Sequence, residues 1–344
     1  MDLPFGLTAL GLLRFTAQVG LALMGASGLW GMVFARQASR GPEGDREGAR
    51  GITHMLVRIS LIGFALFFLA WLIGVFVVFP STVNAHEGIT IRDIPREHIQ
   101  QGVAASIPFV ALTTIVVIAG LILYRRHRDT FLRYAREYFM SQFILVSGLM
   151  FFGVFSGGLG STQFYYFFHG WHSIFTVGTV IVVDLLYMGT LASDAMRRML
   201  YRFFPWLSKS IWIGLGIDQL NNIHLYSQHN WQDAQFLMTQ IVVGIIIVNG
   251  TLLSGRMNEA LIALIREDGT VEHFNAKTER ITGLSGAISL TSWLTITFID
   301  YFSLTIGPLL FFGVWAAVVF MLFSSRKPAD KILGRFLAPA ATVT

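Results

Sequence analysis

The sequence predicts an all-α, polytopic membrane bundle of eight or nine transmembrane helices, and three observations predict it. First, 54% of the 344 residues are hydrophobic and the mean hydropathy is +0.61. Second, only 13% are charged, where a soluble chain carries about a quarter. Third, uncharged runs recur, each near the roughly 20 residues that cross a bilayer core. Backbone polar groups find no partner in lipid except the chain itself, so spans are helices or a closed barrel. These runs are continuous and apolar, not alternating, which argues against the barrel.

Nine spans follow in order: 8–34, 53–79, 103–124, 139–157, 165–192, 204–220, 235–255, 284–303 and 305–323. The first, "MDLPFGLTALGLLRFTAQVG", lacks the basic start of a signal peptide, and Arg14 interrupts its apolar stretch, so it reads as a retained helix. The sixth is short and holds Lys209, which makes it the weakest span. The last two are separated by "LTIGPLL", where Gly307-Pro308 breaks a helix or kinks one long one; the second option leaves eight spans. Charged stretches between spans read as loops, among them the segment around "GPEGDREGAR" and the polar "REDGTVEHFNAKTER", where Asp268-Gly269 signals a turn.

Orientation follows from the basic residues. Arg36, Arg40, Arg46 and Arg50 lie in loop 35–52, five Arg in 125–138, and Arg197, Arg198 and Arg202 in 193–203. Arg256, Arg266, Lys277 and Arg280 lie in 256–283, and four more in the tail. These alternate loops hold 20 of the 25 basic residues, and the opposite loops hold Arg92 and Arg96 alone. The N-terminus is therefore expected outside and the C-terminus in the cytoplasm, in a bacterial inner membrane. The net charge of +5 is explained by these cytoplasmic loops and calls for no nucleic-acid partner. The partners expected are the lipid bilayer and the other subunits of a membrane complex.

An internal repeat is suggested by "VVIAGLILYRR" (116–126) against "IIIVNGTLLSGR" (245–256), which sets Gly120 over Gly250 and Arg126 over Arg256. "QFILVSGLMFF" (142–152) resembles "GAISLTSWLTIT" (286–297). This divides the chain into a first half, 1–157, and a second half, 165–344, related as four helices plus four with a ninth added. Transporter folds often arise this way.

The chemistry starts from what is missing. There is no cysteine, which removes disulfides, thiolate metal sites and haem attached through Cys-x-x-Cys-His. No phosphate loop, nucleophile elbow or His-Glu-x-x-His occurs, so no catalytic residue is assigned and an enzymatic role stays open. Histidine is the residue that clusters. His86, His98, His169, His172, His224 and His229 fall on the outer side, with Asp218 and Asp300 at the same level. Neutral imidazole is the commonest metal ligand, and with carboxylate it suits copper(II) or zinc. "FFHGWHSIF" sets His169 and His172 on one helical face, since residues three apart are neighbours. His224 and His229 sit on a loop just after the sixth span. His169, His172, His224 and His229 are the first-choice ligands, and His86, His98, Asp218 and Asp300 the additional ones.

Polar groups inside spans are costly and tend to have a purpose. Arg14, Arg58, Asp184 and Asn249 are the intramembrane candidates, and Asp184 is expected to pair with Arg58 or Lys209. Six outward histidines are also compatible with no cofactor, because membrane interfaces favour such residues without any ligand.

Residues 172–191 ("HSIFTVGTVIVVDLLYMGTL"), "FPWLSKSIWIGLGI", "IIIVNGTLLSGRM" (245–257) and "SLTSWLTIT" (289–297) resemble the copper-resistance-D-like proteins of bacterial inner membranes. The resemblance covers about 165–300. It implies copper handling and marks His172 and Asn249. The first half departs from it, because Arg14 falls where the repeat would place a counterpart of His172.

Three readings follow. The leading one is a copper-handling membrane protein with an outward His-rich site, from which Asn249 and Asp184 would lead inward. The second is a b-type haem held by His172 or His169 with a loop histidine or a non-histidine second ligand, in an electron-transfer subunit of a respiratory or photosynthetic complex. The third is a cofactor-free accessory subunit.

Overall fold

The computed structural model describes residues 2–3, 7–75, 96–155, 161–190, 193–228, 234–266, 270–272, 275–299 and 306–337. Among them the chain is almost wholly helical. The helices are α1 (Ala9–Arg40), α2 (Glu43–Ile73), α3 (Arg96–Arg126), α4 (Arg128–Phe155), α5 (Ser161–Thr190), α6 (Asp194–Gln228), α7 (Ala234–Leu252), α8 (Asn258–Ala263), α9 (Ala276–Ile299) and α10 (Pro308–Leu337). A π-helical stretch, Leu253–Met257, carries α7 into the short α8. Two dipeptide strands, Asp2–Leu3 and Leu7–Thr8, pair ahead of α1.

Over its described residues, each of the nine expected spans falls largely on a long helix, and most helices overrun their span at one end. Most of the expected loop 35–52 is helix, broken only around Gly41 and Pro42. Expected loop 125–138 is helix except at His127, and α6 takes in nearly all of 193–203. The reason is that a helix may continue into water once past the lipid, and Arg residues favour its last turn through the helix dipole. The final two spans are separate helices, α9 and α10, which pack on each other and are not one kinked rod. At 264–272 the backbone closes a small hairpin through an Ile265–Val271 bridge; the expected turn at Asp268-Gly269 lies outside the described residues.

Seven of these helices carry a stretch long and apolar enough to cross a membrane. The other two long helices, α4 and α6, bear more charge and pack beside those that do, α4 on α1 and α3, α6 on α5 and α2. The protein is thus an all-α polytopic membrane bundle. Helices α1 and α5 lie mostly inside it, while α3 and α10 turn most of their apolar surface outward. Ile115 on α3 and Phe320 on α10 are typical of that surface, and lipid is the solvent that suits them.

One large apolar core draws Phe34, Ile52, Phe139, Val182, Leu200, Val242 and Trp293 from both halves of the chain. Within the first half α1 packs on α2 and α4, and α3 on α4; within the second, α5 packs on α6 and α9, and α7 on α9. Polar side chains tie helices across the core. Gln142 on α4 donates to Ser60 Oγ on α2 at 2.6 Å and to Tyr138 Oη at 2.8 Å. Trp30 on α1 donates to Thr179 Oγ1 on α5 at 3.0 Å. At the basic end, Asp45 accepts from Arg202 at 2.7 Å, and Arg198 donates to the Gly44 carbonyl, clamping the α1–α2 turn to α6.

Candidate functional site

Helices α5 and α6 approach closely enough to bring three donor groups together. A Cβ built on Gly214 of α6 would collide with Thr176 Oγ1 of α5, so no larger residue fits that contact without a shift. Four residues along each helix from that contact stand His172 and Asp218, and a four-residue step keeps both on the same seam. His169 lies a further turn along α5, on the same face as His172.

The Asp218 carboxylate is shared. Its Oδ1 lies 3.2 Å from His169 Nδ1 and 3.2 Å from His172 Nε2. Its Oδ2 accepts from Gln219 Nε2 at 3.1 Å, which leaves Oδ1 facing the rings. The two imidazoles stand edge to face, with centroids 5.8 Å apart. The site is graded in depth, with His172 5% exposed, Asp218 17% and His169 28%. One ligand atom from each residue lies within 4.8 Å of the others, the span of a single metal ion's ligand set.

The tautomer of His172 is set locally. Its Nδ1 lies 2.8 Å from the Phe168 carbonyl, which only accepts, so Nδ1 carries the proton. Nε2 then faces the Asp218 carboxylate. A bare lone pair and a carboxylate oxygen repel at 3.2 Å, and a shared proton or a metal ion bound by both would remove that repulsion. Ligands about 2.0–2.1 Å from a tetrahedral metal sit about 3.3 Å apart, so the observed spacing suits a metal with little rearrangement. Neighbouring aromatics brace the ring bearing α5: Trp171 donates to Ser147 Oγ on α4 at 3.1 Å and packs on Phe175.

The other expected residues are placed differently. Asp218, expected as an additional ligand, is the group that joins the two histidines. His86, His229 and Asp300 lie outside the described residues, as do the side chains of His98 on α3 and His224 on α6. His224 is helical, not on a loop as expected, because α6 runs on to Gln228. Asn249 is buried in a reciprocal pair between α7 and α9, donating to the Ser285 carbonyl at 2.9 Å and accepting from Ser285 Oγ at 2.5 Å. That pairing makes it a tie between helices, with its amide already engaged. Lys209 is one of the two partners expected for Asp184. It is exposed, over the Trp206 ring at 5.2 Å, because a long ammonium stem gains more by reaching outward than by burial. Arg14 and Arg58 are partly buried on α1 and α2. Asp184 lines a cavity on the α5–α6 seam beyond the Thr176–Gly214 contact.

Sequence reasoning passed over Gly214, Thr176 and Gln219. The only signal was the spacing in "GLGID", which sets Gly214 and Asp218 four apart on one helix. No family model matches the chain, and no curated protein matches it. What fold and site define is a class: a multi-pass helical membrane protein with a half-buried histidine–carboxylate cluster at one end of the bundle.

Proposed function

We propose that this protein handles a transition-metal ion, copper, at His169, His172 and Asp218. One observation carries the reading: a single carboxylate oxygen 3.2 Å from one nitrogen on each of two histidines. Imidazole with carboxylate suits copper(II) or zinc, and copper binds such ligands most strongly among the divalent first-row metals. The resemblance of residues 165–300 to copper-resistance-D-like proteins supports the choice of copper. Three protein ligands leave a coordination position open, as in sites that exchange or react and unlike closed structural ones. His172 and Asp218 hold the ion in the bundle, and the more exposed His169 meets it first. With the N-terminus outside a bacterial inner membrane, as the basic residues argue, this end faces outward.

The geometry favours an ion over a haem, because the free nitrogen of His172 points at Asp218. The test is metal analysis of the purified protein after equilibration with copper(II), with an optical spectrum of the reduced and oxidised forms. The expected result is stoichiometric copper, lowered roughly tenfold or more in His172→Ala and Asp218→Asn. A Soret band from bound haem, or full loading of both variants, overturns the reading.

A further inference from the structure

At the basic end of the bundle, four basic side chains gather where α2 meets the turn between α3 and α4. Arg50, His54 and Arg58 stand four residues apart on α2, and such steps keep them in one stripe. From 51 to 60 every residue of α2 is buried except His54 and Arg58, so the stripe is the part of this stretch that stays open. The His54 ring stands 5.4 Å from that of Tyr124, near the end of α3. The guanidinium of Arg128, which opens α4, lies over the same Tyr124 ring, 5.9 Å from its centroid. The charges that act on His54 are those of Arg128, Arg58 and Arg50, with no carboxylate among them.

That charge distribution narrows the occupant. Guanidiniums gathered around one imidazole repel one another, and an anion among them relieves the repulsion. Arg carries a fork of N–H donors that matches a phosphate group. The depth of the cluster says where such a phosphate comes from. Arg58 is the last charged residue before the uncharged run 59–74 of α2, and Arg125 the first after the uncharged run 99–124 of α3. The cluster therefore stands at the border of the lipid, the level of the headgroups. Along the same α3, Ile115, Ile118 and Ile122 are exposed, which gives acyl chains a surface next to the charges. Basic sites between membrane helices on the cytoplasmic side take anionic headgroups for these reasons.

We propose that the cluster of Arg50, His54, Arg58 and Arg128 binds the phosphate of an anionic phospholipid, whose acyl chains lie along the exposed isoleucines of α3. Arg50 and Arg128 are the exposed members and meet the headgroup first, while His54 and Arg58 are half-buried. A zwitterionic headgroup is the poorer ligand, because its ammonium is repelled by the same guanidiniums. The site is away from the histidine cluster and does not depend on the metal reading.

The test is equilibrium binding of an acyl-labelled phosphatidylglycerol to the full-length protein in detergent, with unlabelled phosphatidylglycerol, phosphatidylcholine and inorganic phosphate as competitors. Saturable binding is expected, displaced by phosphatidylglycerol and not by the other two at the same concentration. Arg50→Gln with Arg128→Gln should weaken binding roughly tenfold or more, since each basic residue near an anionic headgroup contributes about fivefold. Both side chains are exposed, so the double variant keeps its fold. Lys277→Gln with Arg280→Gln removes the same charge from another exposed basic segment and should bind as the parent does. Equal weakening by the two pairs would reveal a diffuse charge effect and overturn the site. Displacement by inorganic phosphate would assign the cluster to free phosphate, and displacement by phosphatidylcholine would assign the binding to acyl chains; either overturns the proposal. So would absence of saturable binding, or undiminished binding by the Arg50 and Arg128 double variant.

Discussion

Thr176 of α5 rests against Gly214 of α6, with no space for a Cβ between them. The contact lies one turn from His172 on one helix and one turn from Asp218 on the other, so the separation of the helices sets the separation of the ligands. A glycine in a helix costs about 1 kcal/mol against alanine; here it allows the approach on which the cluster depends.

Gly214→Val should therefore lower copper loading without touching a ligand. The added side chain pushes α6 from α5 and moves Asp218 away from both rings, with a stability loss of about 1–3 kcal/mol. Thr176→Ala in the Gly214→Ala background should restore part of the loading, because it removes the atom the new Cβ meets. Metal analysis of the four proteins at equal concentration checks it.

Gln219 holds the outer oxygen of Asp218. Groups that orient a ligand typically contribute 10–100-fold to metal affinity, although this one is partly exposed. Gln219→Ala should weaken copper binding by about tenfold at most, and Gln219→Glu less than Gln219→Ala, because the added negative charge attracts the cation while the donor to Asp218 Oδ2 is lost. Competition titration against a chelator of known affinity measures both.

The Asn249–Ser285 pair should matter to stability and leave metal loading alone. Interhelical hydrogen bonds in membranes average about 0.6 kcal/mol and reach about 1.7, and burial of Asn249 favours the upper end. Asn249→Ala should lower the midpoint of detergent-induced unfolding and leave copper stoichiometry unchanged. A loss of copper with normal stability would restore Asn249 to an ion path.

Gln142 is fully buried and engages two hydroxyls. Gln142→Leu should destabilise by about 1–3 kcal/mol, since buried polar groups lose their partner. Adding Ser60→Ala should recover some of that loss, because one orphaned hydroxyl is then gone. Unfolding midpoints of the single and double variants decide it.

The Asp45–Arg202 pair is a negative prediction. Arg202 is half exposed, and pairs open to water contribute about 0–1 kcal/mol. Asp45→Asn should change the unfolding midpoint little.

The histidines and the helices were readable for the same reason. Whether a residue run is apolar and long enough is a local property, and so is the three-residue spacing that sets His169 beside His172. Loop lengths were misread because charge marks where lipid ends and says nothing about where a helix ends. The exposure of Lys209 was not readable, because depth along a helix does not reveal which way a side chain faces.

The amino-acid order by itself determined a polytopic α-helical membrane chain, the alternation of basic segments, and a histidine pair at one helix mouth. Only the tertiary structure decided that Asp218, 46 residues beyond His172, is the carboxylate between the rings, and that the same helices leave a cavity beside Asp184. The physical reason is that apolar periodicity specifies which residues face inward but not their partners. Partners follow from where two helices cross, and here that crossing is set by one missing side chain, at Gly214.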